Sequence, residues 1–145
     1  MAKKKKNNKS KLKVLIGFLL LFISLILIIS FISYFLNWKV DQSNISEILD
    51  RSVKTENYLG KIGATLSHLF IYQLFGIASF IIPIILSITS YYLLLEKKLF
   101  RLVGSWTWAI IYILWISIFT GYIQNISYIP SGVVGYEINM FLIDY

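Results

Sequence analysis

The sequence predicts an all-α fold: a polytopic helical membrane protein with three transmembrane helices and a short amphipathic helix outside the membrane. Three observations carry this. Hydrophobic residues fill 57% of the 145 positions and aromatic residues 17%, against 14% charged, a balance that suits a bilayer rather than water. The apolar residues gather into long uncharged runs. Half of the fourteen basic residues are lysines within the first thirteen positions, so the net charge of +7 belongs largely to one end of the chain.

Residues 1–13 form a basic tail, KKKKNNKSKLK at its heart, with no aromatic residue for base stacking and no apolar stripe at helical spacing. Its charge predicts an orienting role on the cytoplasmic side, with anionic headgroups as neighbours and no direct contact with nucleic acid. The first span follows from Val14 to Phe35, 22 residues without a charge. A helix needs about 20 apolar residues to cross the hydrocarbon core. Seventeen of these positions are Val, Leu, Ile or Phe. At roughly −0.3 to −0.6 kcal/mol each, they outweigh three serines and a glycine. The run is too long for a signal peptide and ends in YFLNWKVDQ rather than a small-residue cleavage site, so it is an uncleaved anchor.

An external loop, 36–65, comes next. Within it Ile45, Ile48, Leu49 and Val53 lie at helical spacing after an Asn44-x-x-Glu47 capping pattern, which predicts the short amphipathic helix. Gly60 and Gly63 bracket Lys61 and let the chain turn back toward the membrane. The next uncharged run, Leu69 to Leu95, has 27 residues, more than a perpendicular span needs. The crossing is therefore placed at 76–95, with an interfacial start at 66–75 that holds His68 and Gln73. Pro83 inside it predicts a kink, compensated by Ser79 or by neighbouring helices. A third span, 103–123, follows the connector Glu96, Lys97, Lys98 and Arg101, and an external tail occupies 124–145.

The membrane domain thus covers 14–145, and its sidedness follows from charge. The tail carries seven positives and no negatives, the Asn37–Leu66 loop four of each, and the connector three positives against one negative. The last segment has only Glu137 and Asp144. Lys and Arg collect in short cytoplasmic loops, so the tail and connector are assigned to the cytoplasm and the other two segments to the outside.

No catalytic, cofactor or metal site is legible. The spans hold no Asp, Glu, Lys or Arg at mid-depth, which disfavours an ion pathway or a coupled transporter. His68 is the sole histidine, without a nucleophile elbow or a second ligand at metal spacing. The absence of cysteine removes disulfides, thiolate metal sites and cysteine nucleophiles. GKIG at 60–63 lacks the Walker pattern and reads as a turn. Ser79, Ser87, Ser117 and Thr120 are expected to face other helices, because helix association in lipid relies on small residues and buried polar bonds.

Longer strings say more. GKIGATLSHLFIYQLFGIASFIIP (60–83), WISIFTGY (115–122) and SGVVGYEINMFLIDY (131–145) resemble the N-terminal membrane domain of FtsK/SpoIIIE-type DNA translocases. Gly60, Lys61, Gly63, Ser67, His68, Gly76, Ser79 and Pro83 carry the specificity, with Gly132, Gly135 and Glu137, since a demand for lipophilicity alone explains none of them. From these and the buried polar pattern, Gly60, Lys61, Gly63, His68, Ser79, Pro83, Ser117, Gly132 and Gly135 are the interaction and packing candidates. The resemblance implies four transmembrane helices, then a linker, an ATPase motor and a DNA-reading domain. It also implies a role in anchoring a translocase at the division septum of a bacterial inner membrane, homo-oligomerisation of the parent protein, and contact with division-complex membrane proteins. Three spans and no Walker motif depart from that plan, so no enzymatic role passes to any residue here. A chain end placed outside, where a DNA motor cannot work, predicts a truncated form lacking its fourth helix. The alternative is a free-standing small membrane protein, an accessory or structural partner in an envelope complex.

Overall fold

The computed structural model describes residues 2–43, 55–124 and 131–144, and every element within them is helical. The predicted amphipathic helix with Ile45, Ile48, Leu49 and Val53 lies outside the described residues. Three helical stretches are long and apolar enough to cross a membrane: Lys11–Asn37, Gly60–Leu94 and Leu102–Ile123. The protein is a polytopic helical membrane protein, with three transmembrane helices among the described residues.

Helix α1 runs unbroken from Ala2 to Ser43, 42 residues, or about 63 Å at 1.5 Å per residue. The basic tail is thus helical although it has no apolar stripe of its own. Nucleation is the costly step of helix formation, and the span supplies the nucleus. From there Lys and Leu propagate well, and no proline stands in the way.

The second stretch, 35 residues long, is not a simple rod. Helix α2 (Gly60–Ser67) passes into wide π-type turns over His68–Phe75, then a tight 3-10 segment over Gly76–Phe80, then helix α3 (Ile81–Leu94). Gly76 sits at φ 62° and ψ −138°, a backbone conformation that only glycine adopts at little cost. Gly63, Phe70 and Phe80 all converge on Ser30 and Phe31 of α1. The stretch from α2 through the π turns therefore makes no advance along α1, whereas α3 descends from Phe31 to Gly17. Pro83 is the third residue of α3, directly after the 3-10 segment, so the chain changes from 3-10 to α turns within one turn of the proline. The sharper interruption is the positive-φ Gly76, seven residues earlier.

Lys97 closes the connector by donating from Nζ to the Tyr91 hydroxyl at 2.9 Å, with its ammonium 4.3 Å from the Tyr91 ring centre. Helix α4 (Phe100–Gln124) follows, and helix α5 (Gly132–Asp144) completes the described chain. With 13 residues, α5 is about 20 Å long, short of the roughly 30 Å hydrocarbon core.

Packing inverts the pattern of a soluble protein. Leu27, Phe31, Tyr34 and Ile71 form one apolar core, flanked by Leu66, Phe70, Phe80, Ile82 and Leu86. Most other large apolar side chains point outward, Phe22 and Trp115 among them, while Ser24, Ser30, Ser33, Ser67, Ser79, Ser90 and Ser117 are fully buried. In lipid there is no hydrophobic force between helices, so close backbone approach and hydrogen bonds hold them together, and small hydroxylated residues supply both.

Candidate functional site

The buried polar and glycine residues collect in three places. The first is a seam between α1 and α3, set by Gly17 and Ser24, seven residues apart on one face of α1. Ser24 Oγ donates to the Pro83 carbonyl at 2.9 Å and lies 2.5 Å from Ser87 Oγ. Ser90 Oγ donates to the Gly17 carbonyl at 2.7 Å. A Cβ on Gly17 would meet Leu94 Cγ at 2.9 Å, so this glycine sets how closely the two helices approach.

The second is a clasp where the chain enters α2. Ser30 Oγ donates to the Gly63 carbonyl at 2.6 Å, and Asn57 Nδ2 donates to the Ser30 carbonyl at 3.2 Å. Asn57 Oδ1 accepts the Leu59 N–H at 3.1 Å, its carbonyl accepts the Gly60 N–H at 2.7 Å, and the Tyr58 N–H donates to Ser33 Oγ at 2.9 Å. Asn57 is buried, so every bond it makes replaces one to water. Gly63 is required because an added Cβ would press on Asn57 Oδ1 and lie 2.7 Å from Leu59 Cβ. Gly60 has φ 60° with open space around it, so its constraint is the backbone alone. Lys61 contributes its carbonyl, which accepts from Thr65 Oγ1 at 2.9 Å.

The third is a junction of α4, α5 and the Gly76 break. Ser79 Oγ donates to the Phe70 carbonyl, joining the 3-10 segment to the π turns. Gly132, at φ 72°, lies so close to the break that a Cβ would collide with the Leu74 carbonyl oxygen and sit 2.6 Å from the Gly76 nitrogen. Ser117 Oγ donates to the Ser131 carbonyl at 2.8 Å. A Cβ on Gly135 would meet Ser117 Oγ at 2.5 Å, and one on Gly121 would meet the Gly135 carbonyl oxygen at 2.7 Å. The start of α5 thus covers irregular backbone with close-fitting protein, the condition under which non-helical backbone is tolerated at membrane depth.

The nine candidate residues are therefore not one cluster. Gly60, Lys61 and Gly63 belong to the clasp, Pro83 to the seam, and Ser79, Ser117, Gly132 and Gly135 to the junction. His68 stands apart, stacked on Tyr72 with ring centres 4.8 Å apart. Its buried Nδ1 has no hydrogen-bond partner among the described residues. Thr120 Oγ1 donates to Ile116 and Ser117 carbonyls of its own helix, whereas Ser87 bonds across to α1. Sequence reasoning missed Ser24, Ser30, Ser33, Asn57, Ser90, Gly121 and Ser131. The heptad step from Gly17 to Ser24 is the one local signal that pointed to the seam.

These packing devices lie in segments whose sequence a known family shares. The family model described as the 4TM region of DNA translocase FtsK/SpoIIIE matches residues 9–145. No curated protein and no solved structure matches the chain. With the family match spanning all three transmembrane helices, the seam, the clasp and the junction, the chain belongs to the FtsK/SpoIIIE 4TM family.

Proposed function

We propose that this chain is the membrane-anchoring and septum-targeting domain of a DNA translocase that acts in chromosome segregation and cell division. The observation that carries the reading is the family match over residues 9–145, which takes in the whole membrane-embedded part. In this reading ATP hydrolysis and DNA movement belong to a motor outside this region, and the residues here anchor, assemble and bind neighbours in the bilayer. Its setting is the bacterial cytoplasmic membrane, with division-complex membrane proteins and further copies of the parent protein as partners.

Charge supports an orientation with the N terminus in the cytoplasm. Seven lysines precede the first span and Lys97, Lys98 and Arg101 surround the turn before α4, while the other connections are neutral or acidic. The seam and the clasp suit an anchor: the seam fixes α1 against α3 and the clasp fixes α1 against α2, without any ionisable side chain at mid-depth. Expression of the chain with a fluorescent protein fused before Met1 tests the assignment in dividing bacteria. A band at the division site is expected. Even fluorescence around the whole cell envelope, with the fusion intact and membrane-inserted, overturns septum targeting.

A further inference from the structure

The end of the bundle where α3 turns toward α4 gathers positive charge from two distant parts of the chain. Lys97 and Lys98 lie in that turn, Lys11 and Lys13 lie on α1, and all four are exposed. The seam brings the two pairs together. A Cβ on Gly17 would stand 2.9 Å from Leu94 Cγ and 3.3 Å from Leu93 Cβ, so α1 meets the last turn of α3 at Gly17. Lys13 precedes Gly17 by four residues on the same face, about 6 Å along the axis, and Lys97 follows Leu94 by three residues. Among the described residues Lys11, Lys13 and Lys98 make no ion pair or hydrogen bond. Glu96 is the one carboxylate in either segment.

Two observations make this more than a charged rim. First, Lys97 is held in place. Glu96 has φ 49° and is the one non-glycine residue with a left-handed backbone among the described residues. It stands just past the end of α3, a position that glycine ordinarily fills. Its N–H donates to the Leu93 carbonyl at 3.3 Å and the Lys97 N–H to the Tyr92 carbonyl at 2.9 Å, a turn that closes α3 and sends Lys97 back over it. The Lys97 ammonium there lies 4.3 Å from the Tyr91 ring centre and 5.9 Å from that of Tyr92, and donates to the Tyr91 hydroxyl at 2.9 Å. An ammonium has three donors, so two remain, and beside them the Tyr91 hydroxyl, which accepts from Lys97, still has its own proton to give. Second, the charges alternate with apolar side chains. Leu95, Leu99 and Phe100 are exposed, and Phe100, at 88%, is the most exposed large apolar side chain among the described residues. A free anion or a nucleic acid backbone gains nothing from these, whereas a phospholipid carries hydrocarbon directly beneath its phosphate.

We propose that this corner is a binding site for one anionic phospholipid of the adjoining leaflet. Lys97 and the Tyr91 hydroxyl hold the phosphate, Lys98 and Lys13 complete the opposing charge, and Leu99 and Phe100 lie against the acyl chains. The orienting role of the basic tail depends on a count of charges. This site depends also on where one neutral hydroxyl stands. It requires neither septum targeting nor the assigned sidedness, since the leaflet is whichever one the connector meets.

The purified chain in micelles is titrated with phosphatidylglycerol, or with phosphatidylethanolamine of the same acyl chains, and bound lipid is counted by native mass spectrometry. One phosphatidylglycerol per chain is expected, in preference to phosphatidylethanolamine. Lys98→Gln, whose side chain has no partner to lose among the described residues, should weaken binding about fivefold. Tyr91→Phe keeps the charge and the ring and should weaken it about fivefold or more. Lys4→Gln removes the same charge from the tail, about 14 Å along α1 from Lys13, and should change binding by less than about twofold. Equal uptake of the two lipids, an equal effect of Lys4→Gln and Lys98→Gln, or no effect of Tyr91→Phe overturns the site. So does displacement of the lipid by inorganic phosphate, or tighter binding of a single-stranded oligonucleotide at the same residues. Lipid binding without septal localisation sinks the targeting role alone, and septal localisation without lipid binding sinks this site alone.

Discussion

Gly132→Ala probes the junction where α5 covers the Gly76 break. Two independent terms oppose the new methyl group. The backbone at φ 72° is left-handed, which costs a residue with a Cβ roughly 1–2 kcal/mol. The methyl group would also overlap the Leu74 carbonyl oxygen and the Gly76 nitrogen. These are backbone atoms that cannot swing aside, and overpacking of this kind costs about 1–3 kcal/mol. Together they predict a loss of roughly 2–5 kcal/mol, concentrated in the docking of α5. Gly60→Ala is the matched control: it has φ 60° and open space, so only the backbone term of about 1–2 kcal/mol applies, at the clasp rather than the junction. Ser131 is 1% exposed, and Ser131→Cys turns it into a reporter of α5 opening. The rate of maleimide labelling in micelles reads the population of the open form. At tenfold per 1.4 kcal/mol, Gly132→Ala should accelerate labelling by about thirtyfold or more, while Gly60→Ala leaves it unchanged. An acceleration below about threefold, under 1 kcal/mol, would refute the reasoning that Gly132 is demanded by contact as well as conformation.

Three further outcomes follow from the other sites. Ser24→Ala removes the bonds to the Pro83 carbonyl and Ser87; a denaturant titration in micelles should show a loss of about 0.6–1.7 kcal/mol, and no loss would place the seam's cohesion in its shape alone. Asn57→Ala strips the clasp of a buried amide with donor and acceptor both engaged, and the same titration should show a loss of about 1–3 kcal/mol. Pro83→Ala truncates a fully buried ring and should cost about 1–2 kcal/mol in the same titration, at about 0.8 kcal/mol per buried CH₂, with helix content unchanged because Gly76 sets the sharp break; a gain in helix content would make the proline the cause of the 3-10 segment.

The membrane class was legible in the sequence because it depends on properties that add along the chain. Seventeen apolar residues in Val14–Phe35 fix a span whatever their neighbours do. The same additivity concealed the break in the second span. Gly76 and Pro83 both stand in one apolar run, and proline is the stronger helix breaker by propensity. The sharper break falls at Gly76, on whose backbone Gly132 of α5 packs from far along the chain. The packing residues were legible in proportion to their oddity in lipid. Gly132 and Gly135 stand out in a short segment bounded by Ser131 and Glu137, whereas Ser24, Ser30 and Ser33 vanish into a run of Leu and Ile that tolerates them. Asn57 was hidden differently: in a polar loop an asparagine is unremarkable, and its role comes from the Ser30 carbonyl it bonds and the space that Gly63 leaves for it.

The account rests most heavily on a membrane domain whose basic end lies in the cytoplasm. The native absence of cysteine allows one measurement to test it: single cysteines at Ser43 and at Lys97, labelled in intact cells with a membrane-impermeant maleimide. Ser43→Cys should label from outside, and Lys97→Cys should label only after the membrane is opened. External labelling at both positions, or at Lys97→Cys alone, would contradict the orientation and with it the assignment of this domain as an anchor for a cytoplasmic motor.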